Sequence, residues 1–338
     1  VTAMNSMDQL PLTRFVNLAQ PRLGSEVVYA TDDFFADRTR LILPEEPVYI
    51  PGKYDTHGKW MDGWESRRRR TEGHDYCIVR LGVPGRIHGF DIDTRHFTGN
   101  FPPAASIDAC YSDEVIPGDD ADWEEIVRST ELNGNLQHFI SVDDEREFTH
   151  VRLHIYPDGG IARLRIYGTI TPNWAQIDDN TTLDLLALTS GGRAIACNDE
   201  HFGSMRTLNA PGRGINMGDG WETARRRIPG NDWVVMALGH TGIIDAIEVD
   251  TAHFKGNYPD RVMIQGAHFI SGTDEAITLS SEQWEVLLPE THLSADQVHR
   301  FVVPEGAPPV SHIRMNIFPD GGVSRLRVFG RLYRDERD

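Results

Sequence analysis

The sequence predicts an all-β fold made twice over, a tandem pair of β-sandwich or jelly-roll domains. Three observations carry that prediction. Short runs of alternating apolar and polar residues recur at intervals of about 8–12 residues with Gly, Pro, Asn or Asp between them, the pattern of many short strands joined by turns. The second half of the chain repeats the first at an offset that stays between 157 and 167 positions. Helical candidates are confined to two short stretches, Thr13–Ala19 and Thr182–Leu188, one at the start of each copy. At 338 residues, each copy has enough chain for its own core.

Taken in order, the matching pieces are these. Asp32-Asp33-Phe34-Phe35-Ala36 answers Asp199-Glu200-His201-Phe202-Gly203. Gly63-Trp64-Glu65-Ser66 with Arg68-Arg69-Arg70 answers Gly220-Trp221-Glu222-Thr223 with Arg225-Arg226-Arg227. Strand-like runs follow at Asp75–Leu81 and Ile87–Ile92. The second ends in Asp93-Thr94-Arg95-His96-Phe97-Thr98-Gly99-Asn100, matched by Asp250-Thr251-Ala252-His253-Phe254-Lys255-Gly256-Asn257 after Ile243–Val249. Ser106–Tyr111 is a further strand, Trp123-Glu124 answers Trp284-Glu285, and Thr149 to Gly168 answers Ser311 to Gly330. Two units of this length are a duplicated domain, not a solenoid. The expected domains are 14–171 and 182–333, joined by a polar, turn-prone linker at 172–181.

The last of these pieces reads as a hairpin. Val151, Leu153 and Ile155 alternate with Arg152, His154 and Tyr156, and Pro157-Asp158-Gly159-Gly160 has turn chemistry. A four-residue loop sets Leu153 against Leu164, Val151 against Ile166, His154 against Arg163 and Arg152 against Arg165. The second copy sets Arg314 against Arg327 beside Asn316 and Arg325. Facing arginines repel unless a carboxylate or an anion lies between them. The readings left open are a salt bridge, an anion site and an interface.

Composition narrows the function. A net charge of −18 argues against a polyanionic partner, so neither nucleic acid nor an anionic membrane is expected. No apolar run approaches the roughly 18 residues of a spanning helix. Residues 1–12 show neither a basic nor an apolar leader segment. Cys77, Cys110 and Cys197 are odd in number and lack CxxC spacing, which fits free thiols in a reducing compartment. The expected location is the cytoplasm. Phosphate-loop, Rossmann, nucleophile-elbow and zincin patterns are missing.

Three constellations shared by both copies could carry chemistry. In the repeated turn, Asp93 and His96 (Asp250 and His253) suit an orienting carboxylate and a base, or two ligands of a divalent metal completed by Glu65 or Asp33. Asn100 and Asn257 could donate to a carbonyl. The plain alternative is a structural corner. In the Gly-Trp-Glu loop, Glu65 and Glu222 lie beside Trp64 and Trp221, which could raise their pKa. Arg68 and Arg225 suit a planar carboxylate, against a plain reading as a solvated basic loop with a tryptophan anchor. The third is Asp32–Phe35, where Phe34 and Asp33 become His201 and Glu200, so the two halves could form unequal sites.

These motifs resemble the allantoicase (allantoate amidinohydrolase) family. The resemblance lies in GWE[ST]xRRR, in HDYCIVRLGVPGRIHGFDIDTRHFTGNFPP and in the duplicated HxRxxxxPDGGxxRLRxxG, and spans about Asn17 to Tyr333. It implies two tandem jelly rolls of the galactose-binding or discoidin-like kind. It also implies hydrolysis of allantoate to urea and (S)-ureidoglycolate in allantoin and purine degradation. The implied partner is the small molecule allantoate, and a homo-oligomer is expected. No cofactor is certain, and a divalent metal stays an open branch.

The chemistry needs an acid for the departing nitrogen, a base for water or the remaining N–H, and a cation for the carboxylate. Arg68 or Arg225, or the pairs Arg152/Arg165 and Arg314/Arg327, would hold the carboxylate. His96 or His253 and Glu65 or Glu222 would exchange protons, with Asp93 or Asp250 orienting the histidine. Asn100 and Asn257 would bond a ureido carbonyl. The competing class is a sugar-binding tandem sandwich that uses Trp64 or Trp221 as an exposed stacking surface.

Overall fold

The computed structural model describes residues 11–170 and 172–334, so most of the stretch read as lacking a leader, and the boundary residue Thr171, lie outside it. The chain divides after Ile170 into two compact units. Each is a mostly antiparallel β-sandwich domain.

The first unit contains β1 (Val16–Asn17), β2 (Glu26–Ala30), β3 (Tyr54–Asp55), β4 (Gly58–Lys59), β5 (Trp64–Glu65), β6 (Asp75–Asp93), β7 (Ala104–Cys110), β8 (Glu124–Glu131), β9 (Gln137–Ser141), β10 (Glu147–Tyr156), β11 (Gly160–Ile161) and β12 (Arg163–Thr169). The two runs read as separate strands are one 19-residue strand, β6. Its first half pairs with β2 and β10, and its second half with β9 and β12. The strand changes partners around Gly82–Gly85. A Cβ at Gly82 would lie 1.8 Å from the Leu23 carbonyl oxygen, so only glycine lets the chain cross there.

This shared strand overturns the expected hairpin. β10 and β12 are not neighbours, because β6 runs between them. Arg152 lies opposite Ile78 and Asp108, and Arg165 opposite Asp91. The Pro157–Gly160 loop carries the chain from one part of the sheet to the other. Alternation identified the core-facing residues correctly, since Val151, Leu153, Ile155, Leu164 and Ile166 are all fully buried. It could not identify the neighbouring strand.

The second unit repeats this plan with β13 (Leu183–Asp184), β14 (Arg193–Cys197), β15 (Trp221–Glu222), β16 (Asp232–Asp250), β17 (Arg261–Ala267), α1 (Asp274–Ser280), β18 (Glu285–His292), β19 (Val298–Val302), β20 (Val310–Phe318), β21 (Gly322–Val323) and β22 (Arg325–Leu332). The 19-residue β16 again separates β20 from β22, so Arg314 and Arg327 do not face each other.

The two expected helices are edge strands with single turns. Asn17 accepts from the backbone N–H of Ala19 and of Ile166, and Asp184 likewise from Leu186 and Val328. These side chains substitute for sheet carbonyls and outcompete a helix that is too short to stand alone. α1 went unforeseen, and Thr273 caps it. The segment read as a linker packs Trp174 and Ile177 on the second core, and Arg334 holds their carbonyls.

Candidate active site

At one end of each unit the repeated turn docks on the Pro-Asp-Gly-Gly loop. The Asn100 carbonyl accepts from Gly160 N–H at 2.7 Å, and the Asp93 carbonyl from Ala162 N–H at 2.7 Å. Asn257 and Asp250 do the same for Gly322 and Ser324. A Cβ at Gly160 or Gly322 would lie about 2 Å from the buried ring of Phe97 or Phe254, which explains the glycine. His96 and His253 sit at φ of 71° and 73°, costly for non-glycine residues. Their backbone N–H groups are held by Asn135 and Asp296.

The turn does not join Asp93 to His96. Arg95 folds back on Asp93 through its backbone N–H, Nε and Nη2, and also reaches Glu46. His96 donates from Nε2 to the Pro47 carbonyl at 3.0 Å, and His253 likewise to Gly214 at 2.8 Å. Asp250 accepts from Ala252 N–H and lies 3.5 Å from Arg213. The carboxylates therefore orient arginine and backbone, not imidazole. The metal ligand set is not assembled either. Asp33 is paired with Arg38, and among the described residues no three His, Cys, Asp or Glu side chains come together to hold an ion.

What the fold does bring together is Glu65 and Asn100. β5 pairs with β11, setting Glu65 opposite Gly160, and Ala36 bonds it from the other side. Asn100 Nδ2 donates to Glu65 Oε1 at 2.7 Å. Burial pushes the Glu65 carboxyl above its usual range, and the Asn100 hydrogen bond and the charge of Lys59 only partly oppose this. Asn257 makes the same contact to Glu222, which is half-buried.

Trp64 and Trp221 are wholly buried, with indole N–H groups on the carbonyls of Asp32 and Asp199. Neither offers a face to a ligand, which removes the stacking role and the support for a sugar-binding module. Glu200 accepts from Ser204 and the Met205 N–H, so at this pair of positions the second copy has a local cap.

Most of the suspected arginines are already engaged. Arg152 pairs with Asp108 and Asp119 and lies over Trp123. Arg314 bonds Asn316 and Ser281 over Trp233. Arg165 reaches the carbonyls of Leu43, Pro44 and Glu45, and Arg327 those of Ala210 and Gly212. Arg68 and Arg225 are exposed, with no ion pair among the described residues. The sequence reading missed a buried pair, Arg163–Asp62 at 2.8 Å, repeated as Arg325–Asp219 at 2.8 Å. Its signal was present, an aspartate just before Gly-Trp-Glu in both copies. These pairs clamp the preceding loop beside the site.

Comparison with known proteins agrees in both halves. A family model described as the allantoicase repeat matches residues 16–171 and again 183–333. A probable allantoicase of Photobacterium profundum is 56% identical over 95% of this chain and 98% of its own. A probable allantoicase of Pseudomonas fluorescens is 54% identical over 96% and 98%. The crystal structure of allantoicase from Saccharomyces cerevisiae is 36% identical, with a TM-score of 0.80, over 93% of this chain and 92% of that one.

Proposed function

The chain belongs to the allantoicase family and hydrolyses allantoate in purine degradation, and we propose that the reaction takes place at the Glu65 carboxyl of the first repeat. The observation that carries this is the buried Glu65 carboxyl, held through one oxygen by Asn100 and raised toward its protonated form. Among the described residues its other oxygen has no hydrogen-bond partner and can carry the proton.

Allantoate bears a carboxylate and two ureido groups on one carbon. Glu65 protonates one ureido nitrogen, and the lone pair of the other forms a C=N bond as urea departs. Water then adds to that carbon and returns a proton to the Glu65 carboxylate, leaving ureidoglycolate. One group serves as acid and then base, so protons balance without His96. The substrate's carboxylate calls for a cation, and of the suspected arginines of the first repeat Arg68, exposed and without an ion pair among the described residues, is one candidate. Glu65 must start protonated, so turnover falls as pH rises through its raised pKa.

The test is Glu65→Gln, which keeps the shape and removes the proton. A drop in kcat of about 100-fold or more is expected, as for loss of a general acid. Urea release at the wild-type rate would sink the assignment. We also infer a cytoplasmic homo-oligomer. Cys77, Cys110 and Cys197 are free, which suits a reducing compartment. Sedimentation of the purified chain tests the oligomer, and a monomer would refute it.

A further inference from the structure

The two repeats differ most in length just before the Gly-Trp-Glu strand. Gly63 follows Asp33 by 30 positions and Gly220 follows Glu200 by 20, so the first repeat carries ten extra residues there. They form the β3–β4 hairpin, with Tyr54 opposite Lys59 and the turn closed by His57 N–H on Asp55. Both feet of the insertion are fixed. Val48 N–H donates to Asp62, the partner of Arg163, and Met61 packs with Phe97 and Ala162. Between the feet, Trp60 N–H bonds the Lys53 carbonyl, and the Lys53 ammonium lies 3.6 Å from the Trp60 ring centre.

The insertion touches two of the segments that hold Glu65 and Asn100. At its tip His57 meets the ring of Phe34, 4.6 Å between centres, on the loop that bonds the Glu65 backbone. At its base Tyr49 stacks with His96 of the repeated turn, 6.2 Å between centres. Lys59, opposite Tyr54 on the hairpin, sets its ammonium 4.8 Å from the Tyr49 ring centre. That ammonium has no ion pair among the described residues, and its charge is felt at Glu65. An exposed lysine without an ion pair, whose charge bears on a buried acid, can receive an anion.

Resting on the reading of Glu65 as the acid, we propose that Lys59 positions the substrate by binding its carboxylate, and that the β3–β4 hairpin exists to carry it there. This deepens the assignment in one respect. Arg68 and Arg225 occur in both repeats, whereas the hairpin lysine occurs only in the first. It gives a physical reason for placing the reaction in one repeat. Phe34 belongs to the same device, since His201 replaces it where no hairpin has to be met.

The experiment measures urea release from allantoate by Lys59→Met and Lys59→Arg. Lys59 is exposed, so neither substitution disturbs the core. Lys59→Met is expected to raise KM about 10- to 100-fold, the value of one lost charge-assisted hydrogen bond, while kcat changes less than about threefold. Lys59→Arg should recover part of the loss. The alkaline limb of the kcat profile should also move to higher pH, because a positive charge leaves the neighbourhood of Glu65. A wild-type KM in Lys59→Met, with Glu65→Gln inactive, would overturn the role of Lys59 and leave the Glu65 assignment standing. Full turnover in Glu65→Gln would instead remove the reading on which both rest.

Discussion

In the first repeat Asp93 is held by Arg95, which the turn itself supplies. In the second, Ala252 stands at that position, and Arg213 approaches Asp250 from the preceding loop. Residue 213 is the counterpart of Glu46, the acid that Arg95 also bonds. Charge has been exchanged between turn and loop while the carboxylate stays in place. A second contrast runs across the sheet face. His74 bonds His154, which bonds Asp108, and the matching positions are a chain of amides, Asn231 to Asn316 to Gln265. The hydrogen-bond geometry survives the loss of every titratable group. Constraint on this fold therefore acts on where bonds run, and much less on which groups ionise. The Glu–Asn contact and the Arg–Asp clamp are different, since each keeps both its geometry and its charged groups in the two copies.

The strongest test of this contrast is the clamp that both repeats share. Arg163→Met leaves the buried Asp62 with the Val48 N–H but without its cation, and Arg325→Met does the same to Asp219 with the Ile215 N–H. Each should destabilise its unit by about 3–5 kcal/mol, measured by chemical unfolding. Costs that differ by more than twofold would show that the two loops are held differently. Next comes the acid. Glu65→Gln should lose about 100-fold in kcat and Glu222→Gln less than about threefold, because Glu222 is half-buried and has no hairpin beside it. Equal losses would erase the distinction between the repeats.

A smaller effect is expected at Asp91, whose counterpart in the second repeat is Glu248. Burial raises the Asp91 carboxyl to about 6, Gln137 bonds one oxygen, and the other has no hydrogen-bond partner among the described residues. A raised folded pKa means that the stability is fully present below about pH 4 and is lost as pH rises through about 6. Asp91→Asn should therefore raise Tm at pH 8 relative to the parent, and much less at pH 4. A shift of the same size at both would refute the sign. Smallest of all is the triple exchange His74→Asn, Asp108→Gln, His154→Asn, which gives the first repeat the second's amides. Burial pushes the Asp108 carboxyl up, but the hydrogen bonds and charges of His154 and Arg152 together hold it low, so the parent should lose stability in acid and the exchange should lose less. Near neutral pH Tm should move by only a few degrees. A collapse of activity would show that the titratable chain matters.

Particular residues show how far the sequence could be read. The Trp64 and Trp221 motifs were visible as repeats, yet an aromatic in a polar loop could face either way, and both proved to be core. Asp93 and His96 are three positions apart, which suggested a contact, but the turn aims one at Arg95 and the other at Pro47. Lys59 was passed over because it lies in the insertion and so has no counterpart to mark it. Asn100 was singled out for a ureido carbonyl, and one of its two amide N–H groups is engaged by a glutamate 35 positions away.

The sequence by itself determined the duplication, the all-β class, the faces of the strands that are buried and the turn that ends β6 and β16. These follow from local chemistry: alternation sets which side is apolar, and Gly, Pro, Asn and Asp set where the chain bends. Only the tertiary structure decided that β6 passes between β10 and β12, that Glu65 meets Asn100, and that a hairpin sets Lys59 on the Tyr49 ring, where its charge bears on Glu65. Period-two alternation assigns a residue to a face but says nothing about the neighbouring strand. In a sheet where a strand's neighbours come from distant parts of the chain, that choice decides which polar groups meet.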